Sequence, residues 1–509
     1  MSDTLTPSTA TASAPPNPNV IVAVLAFAGI VVSLMQTLVI PIVPELPKLL
    51  NAPASDTAWA VTATLLAAAV ATPIAGRLGD MYGKRRMLLT SLAMLTIGSA
   101  TVALSDSLTP MISGRLLQGL SAGVIPLGLS IMRDELPADR LGASTALMSA
   151  SLGIGAALGL PIAAFVADNF DWHVLFWASA VMGALALVTV LTLVPESKVR
   201  TGGRFDLIGG LGLAGGLVCL LLAISKGADW GWASGTTLGL FAGAVVIFLA
   251  WGLLELRTTQ PLVDLRTTAR PQVLFANLAA LAFGFSLFAV QLIVPQILQL
   301  PEQTGYGLGE DLLTVGLVLA PQGLIVMFAA PLSSKISQAK GPKITLMIGA
   351  LIVAGGYALN IFLMSEIWQL ILVSCIIGAG IGFAYGALPM LIMGAVPVSE
   401  TAAANAFNTL LRSIGSSVAS AASGVILAQM TTTFAGHALP SENSFKVIMA
   451  IGCGAALVAL LLASFLPGSA QATQRREPLP SHPPPQTPDR RRSPPIGSAG
   501  APTQQLEKP

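Results

Sequence analysis

The chain is a succession of long apolar runs separated by short breaks of charged and turn-forming residues. A helix needs about 20 predominantly apolar residues to cross a bilayer core. Fourteen runs reach that length: 19–43, 56–80, 85–106, 109–133, 140–168, 172–194, 206–226, 235–257, 271–299, 312–335, 342–364, 368–396, 403–430 and 443–466. The pattern predicts an all-α integral membrane protein with 14 transmembrane helices. Lys and Arg favour the cytoplasmic side of short loops. One set of loops holds fifteen of them, Arg77, Lys84, Arg85, Arg86, Arg133, Arg140, Lys198, Arg200, Arg204, Arg257, Arg266, Arg270, Lys335, Lys340 and Lys343, and the other only Lys48, Lys226 and Lys446. This asymmetry predicts an even number of spans and both termini in the cytoplasm.

Composition agrees. Hydrophobic residues make up 54% of the chain and charged residues 10%, against about 25% charged in soluble domains, so a soluble globule is a poor reading. A net charge of +2 gives no field to gather nucleic acid. Cys219, Cys375 and Cys453 lie scattered in apolar runs, and His173, His437 and His482 have no partner at metal-ligand spacing, so neither a disulfide framework nor a metal or other cofactor is expected. Residues 1–18 lack the basic start of a cleaved signal peptide, and the first helix is expected to stay. From Gly468 the chain turns to Pro, Arg, Gln and Ser, a composition that reads as a disordered cytoplasmic tail over 468–509.

A faint internal repeat organises the rest. Gly76-Arg77-Leu78 falls on Ser334-Lys335-Ile336, Asp80 on Gln338, Gly83 on Gly341 and Arg85 on Lys343 at an offset of 258, and Gly119, Gly123 and Ile154-Gly155 find counterparts at 259 or 260. Such repeats mark transporters built from two related halves. Two pseudo-symmetric six-helix bundles are expected, 19–196 and 268–467, with two inserted helices and their linkers over 197–267.

The turn Gly76-Arg-Leu-Gly-Asp-Met-Tyr-Gly-Lys-Arg-Arg86 packs an acid and a basic cluster between two spans. It resembles the signature loop of the major facilitator superfamily, and Trp59-Ala-Val-Thr with Leu65-Leu66 is similar to its fourteen-helix drug:proton antiporter branch. The resemblance implies that Asp80 pairs with basic residues and helix ends across the two bundles and stabilises the outward-facing state, with Gly76, Gly83 and Arg85 completing a conformational gate. Lys84, Arg85 and Arg86 also suit a plain role as topological anchors. Arg115 and Gln118 resemble the superfamily's motif on its fourth helix, which implies proton coupling or substrate contact; bonding of Arg115 to backbone carbonyls inside the bundle is the alternative. Gly153-Ile-Gly155-Ala-Ala-Leu-Gly159-Leu-Pro161 resembles the antiporter motif, and Gly203-Arg-Phe-Asp206 with Asp229-Trp-Gly-Trp232 resembles the flanks of the branch's two extra helices.

Polar residues inside spans are the remaining candidates for cargo contacts. Asn277, Gly284, Phe288, Gln291, Pro295 and Gln299 form one stripe on the ninth helix, read as facing a cavity. Gln36, Thr37, Gln322, Asn360, Tyr385, Asn408 and Arg412 join them. The branch usually carries an acid on its first helix, where this chain has Leu34-Met35-Gln36-Thr37. Every Asp and Glu falls in a loop, a tail or a helix end, with Glu45, Asp56, Asp80, Glu135 and Asp311 nearest the interior. Embedded arginines without an embedded acid make a positive cavity that favours neutral or anionic cargo.

The expectation is a monomeric secondary transporter, not an enzyme, in the bacterial cytoplasmic membrane. It exports small amphipathic molecules by alternating access, by resemblance in exchange for protons, with Glu45, Asp56 or the Asp80 network as coupling groups. An uncoupled facilitator or dedicated metabolite transporter is the alternative. A polytopic membrane enzyme is remote, because no loop is long enough for an interfacial acid cluster.

Overall fold

In the computed structural model, the described residues are 17–467 apart from 40, 41, 43–45, 58, 198, 435 and 436. Of the stretch 1–18, expected to be disordered, residues 1–16 lie outside them, as do the tail over 468–509 and Glu45, whereas Pro18 already opens the first helix.

Among the described residues fourteen helices are long and apolar enough to cross a membrane. They are α1 (Pro18–Thr37), α2 (Trp59–Tyr82), α3 (Lys84–Ala103), α4 (Leu108–Glu135), α5 (Ala138–Asn169), α6 (His173–Leu193) and α7 (Leu207–Trp230). Then follow α8 (Gly235–Arg257), α9 (Pro271–Gln299), α10 (Leu312–Lys340), α11 (Pro342–Asn360), α12 (Ile367–Ala395), α13 (Thr401–Gln429) and α14 (Glu442–Ser464). The number of spans equals that read from hydropathy; the ends moved by a few residues. α1 stops at Thr37, and Asp56 falls in a separate short helix, Ala54–Thr57, ahead of α2. A single 3-10 turn, Leu120–Gly123, interrupts α4. A two-stranded antiparallel hairpin, β1 (Thr431–Phe434) and β2 (His437–Pro440), precedes α14; an apolar-run search has no means of finding strands of four residues.

Polar side chains set several helix starts. Asp206, Ser234, Asp311 and Ser441 accept hydrogen bonds from backbone N–H groups of α7, α8, α10 and α14, which satisfies donors that a helix leaves open. The hydroxyl and N–H of Thr314 hold the Asp311 carboxyl below the usual carboxylate range, so this acid serves as an ionised cap.

Among the described residues four buried clusters organise the packing, the smallest of them Ala146 and Ala150 of α5 with Val326 and Ala330 of α10. One joins residues of α1 to α6, another residues of α9 to α14. In the third, Leu213, Leu217 and Leu221 of α7 and Trp251 of α8 meet Ala69 of α2, Leu410 of α13 and Leu262 and Val263 of the linker before α9. The inserted pair α7 and α8 therefore lies against the crossing of α2 with α13. The loops rich in Lys and Arg share one side, called the basic face below.

Candidate functional site

The basic-face end of α2 is built for a close crossing. A Cβ at Gly76 would lie 2.6 Å from Ala406 Cβ and 2.7 Å from Ala402 O, so only glycine lets α2 approach α13 this closely. One turn later Asp80, 0% exposed, reaches the N-terminus of α13. Its Oδ2 accepts from Ala403 N at 2.8 Å and its Oδ1 from Ala402 N at 3.3 Å. The residue before α13, Glu400, makes no capping bond with its own side chain. Asp80 thus caps α13 from another helix, where open N–H groups and the helix dipole favour an anion.

The counter-charge differs from the one expected. Lys84, read from sequence as a possible anchor, is completely buried, with Nζ 2.6 Å from Asp134 Oδ2 and 3.8 Å from Asp80 Oδ1. Arg85, expected in the gate, instead donates to the carbonyl of Leu191. The bend at Gly83 brings the start of α3 back against the end of α2, and on α3 residues 84 and 85 are about 100° apart, so when Lys84 faces the two carboxylates Arg85 turns toward α6. Gly83 makes the sharp bend possible with φ of 124°. Arg133 of α4 completes the tie, donating to Thr401 Oγ1 at 2.5 Å and to Val396 O at 3.1 Å. After α6, Thr201 N donates to Asp80 O at 2.8 Å.

Arg115 and Gln118, expected to face the cavity, point into the packing of α1 to α4. Arg115 Nε donates to Ala60 O at 3.0 Å, and one terminal nitrogen donates to Gln118 Oε1 at 2.7 Å and Met35 O at 3.4 Å. Gln118 Nε2 donates to Ser99 Oγ at 2.8 Å. Carbonyls and amides satisfy the guanidinium here, which is the alternative that the sequence left open. The α9 stripe is likewise partly a helix contact: Asn408 Nδ2 donates to Asn277 Oδ1 at 2.9 Å, and Gly284 abuts the backbone of Arg412. Farther along α9, Gln291 is half-buried, and exposed Gln299 donates to Pro295 O. Thr37 packs on Gly159 of α5, while Gln36 is exposed and so is Asp56. Gln322 and Asn360 are buried.

Arg412 stands apart. Its guanidinium lies 4.6 Å from the ring centroid of buried Tyr385, and among the described residues no acid is within ion-pair distance of it. A half-buried cation with only an aromatic face for company is fit to receive an anionic or electron-rich group.

Sequence reasoning missed Asp134, and it missed Glu255 near the end of α8. Glu255 sits in the apolar run Trp251-Gly-Leu-Leu-Glu255-Leu-Arg257, where the acid beside a terminal Arg read as a helix end. It is 3% exposed.

A family model described as Major Facilitator Superfamily matches residues 25–420, and the chain belongs to that family as a multi-pass membrane transporter. Multidrug resistance protein 3 of Bacillus subtilis is 26% identical over 70% of this chain and 70% of its own length. The tetracenomycin C resistance and export protein of Streptomyces glaucescens is 29% identical over 65% of this chain and 61% of its own length, and a probable actinorhodin transporter of Streptomyces coelicolor 26% over 72% and 65%. Relatives of this kind are consistent with the drug:proton antiporter type. In fold, the chain is similar to the human organic anion transporter MFSD10, with a TM-score of 0.63 at 15% identity over 88% of this chain and 100% of that one. The proton:xylose symporter XylE gives 0.60 at 15% identity, over 89% and 96%.

Proposed function

We propose that this chain exports small amphipathic molecules from the bacterial cytoplasm by alternating access, in exchange for protons, with both termini in the cytoplasm. The observation that carries the reading is Asp80 capping the N-terminus of α13 at the basic face. A carboxylate that bonds a helix end of the other cluster is favourable in one arrangement only, so it biases an equilibrium between a state closed at that face and one open to it. Resistance and export relatives support outward transport of drug-like compounds.

The cargo reading follows from charge. Arg412 on Tyr385, with no acid at mid-span among the described residues, favours neutral or anionic amphiphiles. The missing mid-span acid also keeps an uncoupled facilitator as a second reading, which downhill-only flux in proton-tight vesicles would support.

The test is accumulation of dyes and antibiotics in an efflux-deficient bacterium carrying this chain, its Asp80→Asn variant or neither, with and without a proton ionophore. Lower accumulation that both the substitution and the ionophore abolish is expected. Accumulation equal to that of the empty cell for cationic, neutral and anionic probes would overturn drug export. Saturable export of a permanently cationic dye with an anionic one ignored would overturn the cargo reading.

A further inference from the structure

The inserted helices carry a carboxylate that the gate does not use. Glu255 is 3% exposed, and neither of its oxygens has a hydrogen-bond partner at acceptable geometry. Its neighbours are another acid and a set of donors. A Cβ added to Gly209 would meet Glu255 Oε1 at 2.7 Å and collide with Asp206 Oδ2 as well, so the glycine leaves room for both carboxyl groups at this point of α7. The backbone N–H groups of Leu262 and Val263 and the indole N–H of Trp251 are turned toward Glu255, and the indole nitrogen is itself buried without a partner.

The surrounding charges do not neutralise the pair. On α7, Asp206 is half-buried and caps its own helix at Gly209 N. From the linker, Asp264 accepts from Arg266 N, Thr267 N and the Thr267 hydroxyl, and Arg266 donates to Leu256 O at 3.1 Å. On α8 itself, Arg257 is exposed. Among the described residues, no basic side chain comes within ion-pair distance of Glu255. A carboxylate buried as Glu255 is, with a second acid near and no cation beside it, is the kind of group that takes up a proton more readily than one in water.

We propose that Glu255, with the Asp206 carboxylate near it, is a proton-binding site whose occupancy sets the gate at the basic face. An open cavity of about 470 Å³ at that face, lined by Arg77, Arg200, Gln260, Leu262, Val263 and Asp264 among others, brings water to the linker that borders Glu255. Ionised Glu255 draws the N–H groups of Leu262 and Val263 into charge-assisted bonds and holds the linker on α8; protonated Glu255 releases them. Leu262 and Val263 are buried with Ala69 of α2 and Leu410 of α13, the two helices that Asp80 ties together. The ionised site therefore supports the closed basic face and the protonated site loosens it. This places a proton-responsive group outside the two main helix clusters, where among the described residues no acid stands at mid-span.

The gating half of the inference rests on the transporter reading; the binding half does not, and the test separates them. Infrared spectra of the purified protein in lipid, recorded across pH in H2O and D2O, report protonated carboxyl groups without any cargo. The expected result is a buried carboxyl C=O band in the wild type that is lost in Glu255→Gln, with the pH of its titration changed in Asp206→Asn and in Gly209→Ala, which keeps both acids but crowds them. The same band in the wild type and in Glu255→Gln overturns the site. For the gate, probe export in vesicles is measured against the pH on the basic face: Glu255→Gln is expected to export with a flattened pH profile, and an unchanged profile overturns the coupling. A wild type that exports nothing refutes the transporter reading, while the infrared result still decides the site.

Discussion

The turn between α2 and α3 and the turn between α10 and α11 are related in sequence and built alike in backbone, yet held by different forces. Gly83 and Gly341 both adopt positive φ, 124° and 89°. Each turn ends a helix that crosses one from the other cluster: Gly76 of α2 against Ala402 of α13, and Ser334 of α10 against Gly142 of α5. At the first crossing a buried carboxylate caps the opposing helix and a buried lysine balances it. At the second, Gln338 stands where Asp80 does and donates only to Ser334 Oγ, at 3.3 Å. The shared backbone gives two crossings of similar shape, and the charges make only one of them a latch. A pseudo-symmetric frame can close symmetrically and still respond to charge on one side alone.

Removing the buried lysine tests this difference most severely. Lys84→Met leaves Asp80 and Asp134 buried and close with their cation gone, and breaking a buried pair in this way costs about 3–5 kcal/mol. A large fall in thermal stability and in folded yield is expected, measured by fluorescence-detected gel filtration after heating. At the second turn the counterpart of Lys84 is Pro342, and the neighbouring Lys343, aligned with Arg85, bonds the carbonyls of Ser464 and Leu466 at the end of α14, so Lys343→Met should shift stability far less. Equal losses would show that the buried charge adds nothing to the first turn.

Asp80→Asn is a milder break, because the side chain keeps its shape. It loses a charge-assisted bond worth about 2 kcal/mol, a factor of about 30 in the balance between closed and open basic face. The variant should fold but label faster at Ser399→Cys, placed beside the basic-face cavity, when inverted vesicles meet an impermeant thiol reagent in a background without Cys219, Cys375 and Cys453. Labelling at the wild-type rate would mean that the cap does not hold the gate.

How much of this was legible beforehand differs between fold and site. Apolar run length fixes a spanning helix almost without context, so the number of spans could be read from the sequence. Asp80 could be found because glycines and charges crowd a turn too short for an ordinary loop. Lys84 and Arg85 could not be told apart by sequence position, since helical phase decides which faces inward. Arg115 had two readings because an embedded guanidinium looks the same whether its acceptors are cargo or the carbonyls of Ala60 and Met35. Glu255 was hidden by its neighbour Arg257: burial there depends on the linker folding back over the end of α8, a contact between segments that no local pattern records.

Backbone strain gives a smaller and more even effect. Alanine at Gly83 or Gly341 must adopt a positive φ at roughly 1–2 kcal/mol, so both substitutions should lower the melting temperature. Gly83→Ala should lower it further, because its Cβ would lie 2.6 Å from Glu196 Oε1, on the segment that leads to the bond between Thr201 and Asp80. Equal shifts would show that Glu196 moves aside freely.

The smallest effect should come from the residue that occupies the place of Asp80 in the second turn. Gln338 is exposed, carries no charge and bonds only a side chain four residues earlier on its own helix. Gln338→Ala should therefore change stability by under about 0.5 kcal/mol and leave dye export at the wild-type level. Gln338→Asp sharpens the point: the acid acquires the charge of Asp80, yet the helix it faces begins after Pro137, and no buried lysine stands at residue 342, which is Pro. If Gln338→Asp slows export while Gln338→Ala does not, the second crossing also moves during transport and a new anion has restrained it. If neither changes export, the charge-sensitive step belongs to the first crossing, and the repeat preserves a backbone frame without preserving the latch.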